Sequence, residues 1–346
     1  YNKIMTFLKK IIKRQLGDLN VLRTKYFFKK AGYPKTLRID ITAFCNAKCP
    51  FCPRIAMPDA RLSGKMSLEK FSSIITEAAK FGIKTIKLYI TSEPLLHPKF
   101  SKFINIIKSK NLEVQVSTNL SVLQHRLNDL AKVNKLQLSI EGWDKISYEK
   151  YRFPLKYERA RENYKFLIND PNLKPIFKEI HLPVTKLTNL KKFFKLWGDV
   201  DSIRIDFMQP YNDFNKQNNT FISKFPLQLK DEIYQLEEKL VKTCYDPFDE
   251  IVIGFDGKIH LCCLDFHAEL PLGNIENGFD NVLKNQKRKN IQKEFLTGNV
   301  KTCNDCSQFM VASKNQKDNL IKQIDLAWKD IKPNSKIIFY EKVWEK

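Results

Sequence analysis

"TLRIDITAFCNAKCPFCPR", residues 36–54, sets a short alternating run directly against three cysteines. Leu37, Ile39 and Ile41 share one parity, so 36–42 reads as a strand with one apolar face. Cys45, Cys49 and Cys52 follow it as C-x3-C-x2-C. Closely spaced thiols select zinc or iron–sulfur chemistry. A closed structural zinc site needs a fourth ligand, and the next histidine, His97, lies on a different predicted loop. The alternative is a metal centre whose fourth position stays open, which marks a working site.

The rhythm that begins at residue 36 continues. "KTIKLYIT" (84–91), "LEVQVST" (112–118), "KLQLSIE" (135–141), "IFKEIHLPV" (176–184) and "SIRIDFM" (202–208) are further strand candidates. Helical patterns separate them, at about 67–81, 98–110, 121–133, 146–169 and 187–198, and "SLEKF" opens the first with a capping serine. Strands alternating with helices imply parallel pairing and right-handed crossovers. Six units are fewer than the eight of a closed barrel. The expected fold is therefore α/β, a partial (β/α)6 TIM-type barrel. In parallel folds chemistry gathers at the C-terminal strand ends. The cysteine loop, "TSEPLLHP" (91–98), "STN" (117–119), "SIEG" (139–142) and "MQPYND" (208–213) all fall there.

Beyond residue 225 the pattern changes. A helix is expected over 227–243, then a hairpin in "DEIVIGFDGKIHLCCLD" (249–265), turned at Gly257. Helices are expected over 280–296 and 314–331. Cys244 and Cys262 bracket Gly257 as C-x12-G-x4-C, and Cys303 and Cys306 form a C-x2-C knuckle. These four thiols suffice to close one iron–sulfur cluster or one zinc site. Cys263 is left over: a spare thiol, an alternative ligand or a substrate-facing group, with a plain buried cysteine the default. The expected division is an N-terminal extension at 1–35, a barrel at 36–225, a small hairpin-and-helix domain at 226–312, and a C-terminal helix and tail at 313–346.

The chain has 346 residues, 43% hydrophobic, enough for a packed core, and no run of 18 apolar residues that would span a membrane. The N-terminus lacks a secretory pattern, so a reducing cytoplasm is expected, where clustered cysteines bind metal rather than pair as disulfides. Net charge is +22. Ten of the first 36 residues are Lys or Arg, against the single acid Asp18, and Ile4, Leu8, Ile11 and Ile12 line one helical face. A basic amphipathic helix over 1–35 can pack on the body of the protein or touch an anionic membrane surface peripherally. No RNA-binding module accompanies the charge, so nucleic acid is not an expected partner.

The cysteine loop resembles that of the radical S-adenosylmethionine (SAM) superfamily, with Phe51 before the last cysteine and the partial-barrel rhythm around it. The resemblance implies a [4Fe–4S] cluster on Cys45, Cys49 and Cys52. Its open iron would chelate SAM, whose reductive cleavage yields a 5′-deoxyadenosyl radical that takes hydrogen from substrate. Thr91-Ser92-Glu93-Pro94 is similar to the family's Gly-Gly-Glu-Pro, with both glycines replaced. By that likeness Ser92 and Glu93 would bind the SAM ammonium. Ser117 and Asn119 would lie near the ribose, Ser139 near the ribose or the carboxylate, and Arg152 would meet the carboxylate. Cys244, Cys262, Cys303 and Cys306 resemble the SPASM/twitch extension and would hold a second [4Fe–4S] cluster. An external electron donor such as flavodoxin or ferredoxin is implied.

A closed auxiliary cluster suits electron transfer from a substrate radical. The leading expectation is thus a radical SAM oxidoreductase acting on an alcohol, a sugar or another small anionic metabolite. Such a reaction needs a base. Asp206 and Glu141 are the catalytic candidates by strand-end position, with Tyr211, Asp213 and Asp265 behind them. One alternative is a maturase of peptides or proteins, though 1–35 is short for a leader-binding domain. Another is a non-enzymatic iron–sulfur or zinc protein.

Overall fold

The computed structural model describes residues 34–346 apart from 216, 218, 219, 225–228, 240, 241, 243, 269, 271, 340, 341 and 346. The amphipathic helix expected over 1–35 lies outside the described residues except for its last two.

Six strands run as expected: β1 (Thr36–Ile39), β2 (Thr85–Lys87), β3 (Glu113–Thr118), β4 (Lys135–Leu138), β5 (Phe177–Val184) and β6 (Ser202–Phe207). Each pairs in parallel with its sequence neighbour. One parity is apolar and buried: Leu37, Ile39, Ile86, Val114, Val116, Leu136, Leu138, Ile180, Leu182, Ile203 and Ile205. It packs in one cluster with the apolar stripes of the connecting helices. The first helix, α1 (Leu68–Lys80), buries Phe71, Ile74, Ile75 and Ala78, and Ser67 caps it by accepting the Lys70 N–H. The opposite parity is polar and partly exposed: Arg38, Lys87, Gln115, Ser117, Gln137, His181 and Asp206. Period two thus hands the helices a dry face and leaves a polar barrel interior.

Helices α2 (Phe100–Lys108) and α3 (Leu127–Leu130) follow β2 and β3. The helix expected over 121–133 is only the 3-10 turn Leu123–Arg126 and the single turn α3. The one expected over 146–169 is two, α4 (Lys145–Tyr151) and α5 (Tyr157–Asn169), because Pro154 cannot continue the ladder. α6 (Leu190–Trp197) buries Leu190, Phe193, Phe194 and Trp197. After β6 comes a two-stranded antiparallel hairpin, β7 (Tyr211–Asn215) with β8 (Thr220–Lys224), which strand periodicity did not reveal.

The helix expected over 227–243 is absent among the described residues of that span. Leu229 and Ile233 are buried with Tyr151 and Met208, and Tyr234 meets Phe207 edge-on at 4.9 Å. Farther on, β9 (Glu237–Glu238) pairs antiparallel with β12 (Met310–Val311), and the Lys239 N–H donates to Phe309 O at 2.7 Å. The segment gives up its helical bonds to tie the strand-end rim to the cysteine knuckle, a tertiary override of periodicity.

The C-terminal part also joins the barrel. After the one-turn helix α7 (Asp246–Asp249), β10 (Glu250–Ile253) pairs in parallel with β1 and turns at Gly257 into β11 (Ile259–His260). Helices α8 (Phe279–Lys284) and α9 (Gln286–Thr297) replace the single one expected over 280–296, and α10 spans Lys314–Ile331. The expected "tail" holds β13 (Lys336–Phe339), parallel to β6, and β14 (Lys342–Trp344). One ten-stranded sheet results, in the order β11-β10-β1-β2-β3-β4-β5-β6-β13-β14. The boundaries expected at 226 and 313 therefore do not divide the sheet. An open parallel sheet has two unpaired edges, and the C-terminal segments cover both.

Trp197 fastens this frame to the rim. It is fully buried, meets Tyr164 edge-on at 5.0 Å, and its Nε1–H donates to Gly142 O at 2.8 Å. Gly142 sits at φ +156°, and a Cβ there would lie 2.4 Å from Tyr148 Cα, so the loop has no room for a side chain. Trp197→Phe keeps an aromatic six-membered ring but removes the pyrrole half of the indole and orphans the Gly142 carbonyl. It should lower unfolding free energy by roughly 1–3 kcal/mol in urea titrations followed by circular dichroism.

Candidate active site

Cys45, Cys49 and Cys52 leave β1 on a loop held from several sides. The Arg54 guanidinium donates to Ala43 O at 2.6 Å and to Thr91 O at 3.2 Å. The Glu93 N–H donates to Phe44 O at 2.9 Å. Asn46, between the first two cysteines, accepts from Asn119 Nδ2 at 2.9 Å and donates to Ser121 Oγ at 2.8 Å. Burial pushes the Cys45 thiol up to about 11 and Cys52 up to about 12. Cys49 is pushed up by burial too, against the pull of Arg152. None of the eight cysteines is disulfide-bonded.

Asp40, which the sequence did not single out, organises the next strand end. Its buried carboxylate accepts from Ile90 N–H (2.8 Å), Thr91 N–H (3.2 Å) and Ser92 Oγ (2.7 Å). Ser92, expected at the SAM ammonium, is thus turned onto Asp40. Glu93 is buried beside it. Its Oε2 accepts from Asn119 N–H at 2.7 Å and its Oε1 from Leu95 N–H at 3.2 Å, and burial lifts its carboxyl to about 7. Ser117 and Ser139, on neighbouring strand ends, are 3.1 Å apart at Oγ.

Glu141 does not have the setting of a base. It is buried and ion-paired with Arg152, whose Nη1 donates to Cys49 Sγ at 3.4 Å and whose guanidinium lies 5.5 Å from the Phe51 ring centroid. Burial pushes the Glu141 carboxyl up and Arg152 opposes it. A carboxylate committed to a buried cation aims that cation and is not available for proton transfer. Asp265 is fully buried and accepts from Leu261 N–H at 2.9 Å.

The second cysteine set converges from three elements. Cys244 precedes α7, Cys262 follows β11, and Cys303 and Cys306 share a turn in which the Cys306 N–H donates to Cys303 O at 3.2 Å. Glu294 on α9 pins that turn, accepting from Lys301 N–H, Thr302 N–H and Thr302 Oγ1 at 2.8–2.9 Å. Gly257, at φ +87°, makes the hairpin turn that returns Cys262. Burial drives the Cys244, Cys262 and Cys303 thiols well above their usual range, and each feels Cys306. Cys263 also acts on Cys244 and Cys262, while Arg38, Asp246, Glu250 and Lys87 act on it.

Both sets fit iron–sulfur clusters. Each is made of buried and half-buried sulfur donors that keep their protons unless a cationic metal centre displaces them. Among the described residues no three His, Cys, Asp or Glu side chains converge on one ion, whereas a cubane takes each thiolate on a separate iron.

A cavity of about 330 Å3 opens between the ends of β5 and β6 and the knuckle. His181, Pro183, Asp206, Phe207, Lys239, Ser307 and Met310 are among its lining. Asp206 is not alone there, because its Oδ2 lies 2.8 Å from His181 Nε2. The sequence reading passed over His181. The signal was its parity, shared with Asp206 on the face opposite Ile180, Leu182 and Ile205.

Residues 39–169 match the family model of the radical SAM superfamily, and residues 244–307 match that of the iron–sulfur cluster-binding SPASM domain. A probable GTP 3′,8-cyclase of Methanococcus vannielii is 27% identical over 216 residues, 60% of this chain and 68% of that protein. Further curated relatives are matched over 28–59% of their own length. Among solved structures, Streptococcus suis SuiB aligns with a TM-score of 0.57 at 14% identity, over 79% of this chain and 72% of that one. BtrN in complex with AdoMet and 2-DOIA aligns with a TM-score of 0.54 at 14% identity, over 82% and 96%. Both structural likenesses speak for the fold alone.

Asp40→Asn turns an amide toward donors that need an acceptor. The 90–92 loop should lose roughly 1–3 kcal/mol of local stability, read as faster hydrogen exchange at the Ile90 and Thr91 amides.

Proposed function

We propose that this chain, a radical SAM protein with a C-terminal SPASM domain, oxidises a hydroxyl-bearing small molecule in the cavity beside His181. Cys45, Cys49 and Cys52 would hold the cluster that leaves an iron for SAM. Cys244, Cys262, Cys303 and Cys306 would hold the closed one. When bound, these groups supply hydrogen-atom abstraction and a one-electron acceptor. A donor of the flavodoxin or ferredoxin type would supply the reducing electron.

One observation carries the reading: the His181–Asp206 pair lines the same cavity as Ser307, the residue after Cys306. Asp206 Oδ2 would accept the His181 Nε2–H and leave Nδ1 to take the substrate's hydroxyl proton. The same carboxylate would stabilise the imidazolium that forms. Loss of a hydrogen atom from carbon, a proton from oxygen and one electron leaves a carbonyl. Pro183, Phe207, Met310 and Val311 give the cavity apolar walls, and Lys239 and Gln308 give it polar groups to orient a small molecule. Asp206 therefore serves as the partner of the base, a role one step from the one its position first suggested.

The names of the curated relatives favour a second reading, action on a guanine nucleotide. Exposed Arg204, of the same parity as Asp206, would then meet phosphate. The two readings separate on the anaerobically reconstituted full chain. Polyols and aminocyclitols deuterated at the carbinol carbon are compared with GTP. Oxidation moves deuterium into 5′-deoxyadenosine and gives a product two hydrogens lighter. Cyclisation of the nucleotide gives a new bond with no loss of mass. Under the oxidation reading, His181→Gln should cut turnover roughly 100-fold or more with SAM binding intact. Unchanged turnover would remove His181 from the chemistry.

A further inference from the structure

Three arginines are buried among the described residues, Arg61, Arg152 and Arg288. Two of them face carboxylates: Arg61 donates to Asp256 at 2.6 Å, and Arg152 pairs with Glu141. Arg288, 1% exposed, faces none among the described residues. Its Nη2 donates to Glu250 O at 3.0 Å, and its Nη1 has no hydrogen-bond partner among the described residues. Burial pulls its pKa down to about 10, and the titratable group that acts on it is the Cys262 thiol. Its backbone is fixed, since its N–H donates to the Asn285 side chain that caps α9. A desolvated guanidinium with no carboxylate is costly, so its anion has to come from elsewhere.

The neighbouring ligand set supplies one. Four thiolates would give the loaded site a net negative charge, and reduction adds one more. A fixed cation and N–H donor in a dry wall stabilise the reduced form more than the oxidised form. Net charge, hydrogen bonds to sulfur and solvent exposure are the levers that set cluster potentials. We propose that Arg288 is the built-in counter-charge of the closed cluster and raises its reduction potential, making the cluster the better electron acceptor. Arg288 acts through Cys262 and is a positioning residue. This role rests on the closed four-cysteine cluster and is independent of which substrate is oxidised.

The test is a redox titration of the anaerobically reconstituted full chain, followed by electron paramagnetic resonance. SAM perturbs the signal of the cluster with the open iron, so the unperturbed signal reports the closed one. Arg288→Gln keeps a donor for Glu250 O and removes the charge, whereas Arg288→Lys keeps the charge. The glutamine variant should hold about eight irons per chain, as the wild type does, since each cubane carries about four. Its closed cluster should be at least tenfold harder to reduce, equivalent to 59 mV for a one-electron couple. The lysine variant should recover most of that shift. An unchanged potential in the glutamine variant, or equal shifts in both, would overturn the proposal. Loss of the closed cluster from both variants would make Arg288 a structural element and also overturn it. A wild-type chain with only about four irons would remove the closed cluster itself.

Discussion

Period-two alternation along six parallel strands is the constraint on which the rest of the structure depends. Leu37, Ile86, Val116, Leu138, Ile180 and Ile203 give one face to the helices. The other face cannot also be apolar, because an open barrel leaves it wet. That face and its strand ends then carry polar groups with chemistry to offer, among them Asp40, Ser117, Ser139, His181 and Asp206. Parallel pairing points all the loops to one rim, so residues 45, 93, 119 and 141 become neighbours without local contact in sequence.

The rim is rigid because its loops are bonded to one another. Asp40 takes donors from three consecutive residues, Asn46 bridges to Asn119 and Ser121, and Trp197 holds the Gly142 carbonyl from behind. The Thr91-Ser92 pair stands where the family has glycines, and its hydroxyls have a use, since Ser92 donates to Asp40. The two cysteine sets differ in the same physical terms. The first is gripped by loops but offers only three thiols, beside the Arg152–Glu141 pair. The second is enclosed by α9, the hairpin and the knuckle turn, and has its own buried cation.

What was legible in the sequence is what local spacing encodes. The six strands, the hairpin turn at Gly257, the capped helix after Ser67 and both cysteine sets are patterns within a few residues or one motif. What stayed hidden depends on register between distant strands. His181 and Asp206 are 25 residues apart and meet only because β5 and β6 pair as they do. Glu141 reads as a strand-end acid until the turn after α4 brings Arg152 onto it. The span from 229 to 239 has helical periodicity, but its apolar residues are claimed by Tyr151, Phe207 and Met208. The tail strands could not be read as strands of the barrel, because β13 pairs with β6, more than 120 residues earlier, and β14 joins only through β13.

The central claim is that one chain holds an open cluster on three cysteines and a closed one on four. The most direct measurement is iron, sulfide and 5′-deoxyadenosine on wild type and Cys49→Ala, after anaerobic reconstitution with SAM and a reductant. The expected result is about eight irons and SAM cleavage in the wild type, against about four irons and no cleavage in the variant. A Cys49→Ala chain that still produced 5′-deoxyadenosine would contradict it.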